Sequence, residues 1–128
     1  MLFEVSMKTR KRLIGDKGEE VACKLLRSKS YSILARNFSF KTGEIDIIAL
    51  DLRRNEIVFV EVKTRSSIEY GYPYEFVDHN KKRRMVTTAS YYLKLTNLRG
   101  LQPRFDIIEV INTKKGIYAR HLVNVFEL

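Results

Sequence analysis

The 128-residue sequence predicts one α/β (α+β) domain, a central mixed β-sheet flanked by helices in the order α-β-β-β-α-β-β. Three observations carry that expectation. Two stretches repeat their apolar residues at helical spacing. Five others alternate or run in β-branched residues, as strands do. The polar stretches between them contain no repeat, linker or low-complexity segment, so residues 1–128 read as a single domain with a flexible basic segment over 1–11.

The elements follow in chain order. From Arg12 to Lys29, the positions Ile14, Val21, Ala22, Leu25 and Leu26 form one helical stripe. Gly15 and Gly18 on its covered side cost helix stability, which implies that the helix approaches something closely. Tyr31 to Phe40 reads as a strand, and Thr42-Gly43 turns it into Glu44 to Asp51. Arg53-Arg54-Asn55 turns the chain again into Glu56 to Thr64, the most strand-like segment. Ser66 to Asn80, with Gly71, Pro73 and three tyrosines, reads as a loop. A second amphipathic helix runs from Lys81 to Thr96 on Met85, Val86, Ala89, Tyr92, Leu93 and Thr96, and Gly100 and Pro103 end it. Arg104 to Asn112 is a further strand, and after Lys115-Gly116 comes a last one, Ile117 to Phe126.

Composition bounds the function without naming it. The chain is 45% hydrophobic and 30% charged, neither a disordered tail nor a membrane protein, and no apolar run nears the ~20 residues that span a bilayer. The basic residues Lys8 to Arg12 follow the short apolar start, the reverse of a secretory signal. The single Cys23 closes no internal disulfide, and zinc-site spacings are absent. A reducing cytoplasm is the expected setting. Lys and Arg outnumber Asp and Glu by 24 to 15, a net charge of +9, so a polyanion is the expected partner. Two clusters hold nearly all of this surplus: Lys8, Arg10, Lys11 and Arg12, and Lys81, Lys82, Arg83 and Arg84. The rest of the chain is close to neutral.

Acids inside apolar strands point to chemistry. Along Glu56 to Thr64, Ile57, Phe59, Glu61 and Lys63 share one face and Val58, Val60 and Val62 the other, so the strand should be central and covered on both sides. An unpaired charge there is costly. In the preceding strand Glu44 and Asp46 share a face, opposite Ile45, Ile47 and Ala49. If the two strands pair, Asp46 and Glu61 converge with Lys63 beside them. Two such carboxylates can hold a hard divalent cation, Mg²⁺ or in its place Mn²⁺. That cation can polarise a phosphodiester, and the lysine can position water or stabilise charge on phosphorus. On the bare pattern alone, which is common on exposed strands, a Glu61–Lys63 surface pair on a half-exposed sheet is the simpler reading. Helix geometry lets Glu19 look into the same site as a further metal ligand, with a rim carboxylate as its alternative. Lys82 falls on the sheet-facing side of the second helix and Lys81 at its edge. If that helix begins early, one or both lysines reach the acids or a bound phosphate; if late, they are loop lysines. His79 and His121 stand alone and read as structural or solvent-facing. The tyrosines of Tyr70 to Tyr74 could stack on bases, but packing on the sheet is the simpler reading.

These residues together resemble a known family. Gly15-x-x-Gly18-Glu19-x-x-Ala22, Ala35-Arg36-Asn37, Gly43-Glu44-Ile45-Asp46-Ile47-Ile48-Ala49, Val58 to Arg65, Tyr70-Gly71-x-Pro73, Arg104-Phe105-Asp106 and His121 to Phe126 resemble the YraN-like family of predicted endonucleases. That family is similar to the PD-(D/E)XK, restriction-endonuclease-like superfamily. The resemblance implies a nuclease; with the acid pair read above, the expectation is a metal-dependent endonuclease acting on DNA, with branched or otherwise structured DNA as a candidate substrate. It implies Asp46 and Glu61 as metal ligands, Lys63 as the catalytic lysine and Glu19 as the acid from the first helix. Arg65, Lys81 and Lys82 are the expected nucleic-acid contacts, although Lys82 stands where such proteins often have Gln. The same fold as a non-catalytic nucleic-acid-binding module is the alternative. A homodimer would suit cleavage of two strands, but no residue establishes one.

Overall fold

The computed structural model describes residues 2–5, 18–65 and 78–126. The elements are β1 (Leu2–Val5), α1 (Gly18–Ser28), β2 (Tyr31–Phe40), β3 (Gly43–Asp51), β4 (Glu56–Arg65), α2 (His79–Thr96), β5 (Gln102–Thr113) and β6 (Gly116–Phe126). The expected order α-β-β-β-α-β-β is present, preceded by one more strand. That strand, β1, pairs antiparallel with β6 through Leu2↔Arg120 to Val5↔Ile117. Four residues among basic neighbours give too short a pattern to be read as a strand, so the sequence offered no cue for it. The Lys8–Arg12 cluster, Gly15 and the Tyr70–Tyr74 motif lie outside the described residues.

The sheet runs β1-β6-β5-β4-β3-β2. Only β4 and β5 are parallel; every other neighbouring pair is antiparallel. The β2–β3 connection is a two-residue hairpin closed by the Phe40↔Gly43 pair. Gly43 has φ +150°, a conformation side chains rarely adopt, which is why a glycine stands at this turn. The β3–β4 turn is held by Asp51, whose carbonyl accepts from the Asn55 N–H at 2.8 Å and whose Oδ1 accepts from the Arg53 N–H at 3.1 Å.

As the alternation requires, β4 is central and both its faces are covered. Val58 and Val60, with Ile47, Ala49, Ile108 and Val110, pack beneath Val21, Ala22, Leu25 and Leu26 of α1. Ile57 and Phe59, with Ile45, Ile48, Phe105 and Ile107, pack beneath Met85, Ala89 and Tyr92 of α2. Ile45 thus lies on the α2 side and not with Ile47 and Ala49 as strict alternation predicts. Backbone irregularity accompanies the change: Asn37, bracketed opposite Asp46 by the Arg36↔Ile47 and Phe38↔Ile45 pairs, is left-handed with φ 52°.

The second helix starts earlier than its apolar stripe. His79 and Asn80 belong to it and not to the preceding loop. Asp78 caps it, with Oδ1 accepting from the Lys81 N–H at 2.8 Å, and a left-handed Asn97 ends it. Thr88 joins its buried face by bonding Thr42 at 2.7 Å, whereas Thr96 is exposed. Among the described residues, no helix is long and apolar enough to cross a membrane.

Candidate active site

The β3–β4 ladder ends at Ile47↔Val60, so Asp46 and Glu61 are next in line where the strands part. There the Asp46 side chain takes over from the ladder: Oδ2 accepts the Val62 N–H at 2.7 Å. A carboxylate replaces a carbonyl as the partner of a backbone donor, which fixes Asp46 beside β4. Glu61 is 5% exposed. Its Oε1 accepts from Lys81 Nζ at 2.8 Å and lies 3.4 Å from Lys63 Nζ. The early start of α2 is what brings Lys81 into its first turn and onto the acid. Asp46, Glu61, Lys63 and Lys81 therefore meet in one place, supplied by two strands and a helix.

The electrostatics of the two acids are coupled. Burial, and after it the negative charge of Glu61, push the Asp46 carboxyl up to about 6; the Val62 N–H partly opposes this, Glu19 adds to it and Lys81 subtracts. Glu19 thus lies near enough to be felt. Its own ion pair is with Arg36 on β2 at 4.0 Å, both side chains being partly exposed. Among the described residues, no three His, Cys, Asp or Glu side chains gather closely enough to hold a metal ion together. The expected close approach of α1 is present at Gly18: a Cβ there would overlap Thr64 Oγ1 on β4.

The three expected phosphate contacts have different surroundings. Lys81 is on Glu61. Lys82, half-buried, lies over the Phe126 ring with Nζ 5.4 Å from its centroid. Arg65, with a side chain 10% exposed, has Nη1 2.5 Å from Glu109 Oε2. Arg83 and Arg84 are exposed.

Two ionic groups escaped the sequence reading. Glu109 on β5 is fully buried and bridges Arg65 of β4 and Arg120 of β6. At the far end of the sheet, buried Arg104 reaches Asp51 at 2.8 Å, Glu56 at 2.7 Å, Asp106 at 2.9 Å and the Tyr31 hydroxyl at 2.5 Å. His121 Nε2 lies 2.7 Å from Asp106 Oδ2, and its Nδ1 lies 3.0 Å from Lys29 Nζ. With Lys29 an ammonium, it can only donate to Nδ1, so Nε2 carries the proton that Asp106 accepts. The expectation that His121 is structural agrees with this; His79 is exposed at the start of α2. A signal for both groups was present, since Arg104, Asp106 and Glu109 interrupt an apolar strand just as Glu61 does.

The donor set at Asp46 and Glu61 suits a hard divalent cation. Two carboxylates in mutual repulsion gain from a cation between them, and Mg²⁺ is commonly held by one or two carboxylates, with waters and substrate phosphates completing its shell. Three protein ligands are not required for that.

The comparisons with known proteins agree on a family. Residues 18–110 match the model described as "Uncharacterised protein family UPF0102". The chain is 46% identical to the UPF0102 protein TTE1452 of Caldanaerobacter subterraneus subsp. tengcongensis, covering 93% of this chain and 98% of that one. It is 47% identical to the UPF0102 protein CD630_12710 of Clostridioides difficile, with 88% and 95% covered, and 46% identical to a UPF0102 protein of Persephonella marina, with 89% and 93% covered.

Proposed function

The chain belongs to the UPF0102 family, the YraN-like group, and from the geometry of its acid site we propose that it is a metal-dependent endonuclease hydrolysing DNA phosphodiester bonds. The carrying observation is the meeting of Asp46, Glu61 and Lys63 where β3 and β4 part, with Asp46 raised to about 6 by burial and by Glu61. A merely structural pair gives no reason to bury two acids side by side. Asp46 and Glu61 would hold Mg²⁺, or Mn²⁺ in its place, with Glu19 tuning their charge from α1. When bound, the cation supplies Lewis-acid polarisation of the phosphodiester and lowers the pKa of water.

The chain's own residues supply the rest. The Val62 N–H holds the Asp46 carboxylate in one orientation. Lys63, beside Glu61, donates to the attacking water or to the phosphoryl oxygens as charge develops on them. Lys81 brings a second ammonium to the same place and offsets the acids' repulsion of a phosphate. The proposed setting is the cytoplasm.

The test is a panel of labelled DNAs (duplex, flap, four-way junction, single strand) incubated with Mg²⁺ or Mn²⁺. Cleavage of at least one, lost in Glu61→Ala and in Lys63→Ala, is the expected result. Cleavage surviving intact in both variants would overturn the mechanism. One observation favours the second reading, a non-catalytic nucleic-acid-binding module: Glu61 already has Lys63 and Lys81 beside it, so its charge is met without a cation. That module would bind DNA in EDTA as well as in Mg²⁺ and cut none of the panel.

A further inference from the structure

Among the described residues, two buried side-chain polar atoms have no hydrogen-bond partner, Glu109 Oε2 and Arg120 Nε. Both belong to one cluster. Native interiors leave few such atoms, and those that remain mark places with a further role. Glu109 is fully buried, where an unpaired carboxylate would be prohibitively costly. It sits between two guanidinium groups: Arg120 Nη2 is 2.5 Å from Oε1 and Arg65 Nη1 is 2.5 Å from Oε2, the latter a close ion pair without hydrogen-bond alignment.

The position of this cluster gives it meaning. Lys63 of β4 is the register partner of Glu109 on β5, and Glu109 is the partner of Arg120 on β6. The three form one row across the sheet. With strands about 4.8 Å apart, the Arg120 backbone lies roughly 10 Å from that of Lys63. One strand of duplex advances 3.4 Å per nucleotide, so this is about three nucleotides along the axis.

We propose that Glu109 is a positioning residue that presents Arg120 to a phosphodiester of the bound nucleic acid about three nucleotides from the one at Asp46 and Glu61. The identity of the ligand rests on the nuclease reading above. The guanidinium chemistry suits it. Arg120 carries five N–H donors in a rigid fork, and its bond to Glu109 engages only part of them. The Arg120 side chain is 24% exposed, so part of it remains within reach of solvent. Its Nε is enclosed, so the contact falls to the exposed part of the side chain, and a phosphate oxygen is an acceptor only. A lysine could supply the charge but not the fork.

The experiment measures binding of a fluorescein-labelled four-way DNA junction, and of a duplex of the same sequence, by anisotropy in EDTA across a salt series. Arg120→Gln is expected to weaken binding and to reduce the slope of log affinity against log salt by about 0.9, the signature of one lost phosphate contact. Arg120→Lys is expected to keep the slope and still bind less tightly, which tests the fork if the Gln variant fails to fold. Lys94→Gln, at an exposed site in the last turn of α2, should match the wild type. An unchanged slope and affinity in both Arg120 variants overturns the clamp and leaves the nuclease reading standing. Absence of DNA binding by the wild-type protein overturns both.

Discussion

Two ends of the same sheet bury ionic groups, and they treat their carboxylates in opposite ways. At the Arg104 end, burial alone would raise Asp106, but hydrogen bonds from His121, Arg104 and the Asn124 N–H outweigh it and hold the carboxyl below its ordinary value. Asp51 is lowered there too: burial is again opposed by Arg104 and by the Arg53 N–H. At the other end Asp46, less buried than Asp106, is raised to about 6 by burial and after it by the negative charge of Glu61, with the Val62 N–H opposing them. Burial is common to both ends; the hydrogen bonds that each carboxylate accepts, and the charges beside it, decide. The first end spends its acids on stability, and the second keeps a carboxylate in a strained electrostatic position that a cation would relieve.

Breaking the Arg104 end should have the largest effect. Arg104→Met strands Asp51 and Asp106 in the interior, and the expected loss is about 3–5 kcal/mol by urea unfolding. A loss under 1 kcal/mol would mean that the network is not the anchor described.

The opposite sign is expected at Asp46. A carboxyl whose folded pKa lies above its unfolded value of 3.8 costs stability once ionised, so stability should fall as pH rises from about 4 to 6 and stay reduced above that. Asp46→Asn keeps an acceptor for the Val62 N–H and removes that cost. It should raise neutral-pH stability by about 1–3 kcal/mol, flatten the pH 4–6 fall and abolish cleavage. Equal pH profiles for variant and wild type would remove the contrast between the two ends. For Asp106, with its lowered pKa, the stabilisation should persist above pH 4 and be lost as pH falls through the folded value, which acid titration of unfolding can follow.

Gly18 sharpens the comparison from the backbone side. Gly18→Ala forces a methyl group against Thr64 Oγ1 and should cost roughly 1–3 kcal/mol, with cleavage falling along with it because Thr64 follows Lys63 on β4. Recovery of both in Gly18→Ala/Thr64→Ala would assign the loss to that contact. The smallest effect is expected at Lys82. Its contact with Phe126 is a cation–π pair at a half-exposed site, so Lys82→Ala should cost about 0.5–1 kcal/mol by urea unfolding.

The sequence made the hairpin end of the sheet legible and left much of the rest dark. β2, β3 and β4 fall within a residue of their expected bounds because side-chain alternation and short turns are local signals. Asp46, Glu61 and Lys63 came with them, since antiparallel neighbours joined by a turn set each other's register. The start of α2 was harder to see: His79 and Asn80 add nothing to an apolar stripe, and the cap at Asp78 is a single polar atom. Glu109 and Arg104 were visible as charges in an apolar strand. Their partners were not, because the parallel register of β4 on β5 joins residues 46 positions apart and no local pattern encodes it. Arg65 shows the consequence: expected as a phosphate contact, it forms an ion pair with a buried acid on the neighbouring strand.

The kinks in β2 have an effect beyond the site. This ten-residue strand is the outer edge of the sheet, and long, regular edges invite strands of other molecules. Its register shifts between Ile33 and Ala35, and Asn37 turns left-handed three residues after the exposed Leu34. Together they interrupt the row of backbone donors and acceptors that an incoming strand would need. The irregularity beside Asp46 thus also guards the edge against aggregation, and two copies working on two DNA strands would have to meet through some other surface.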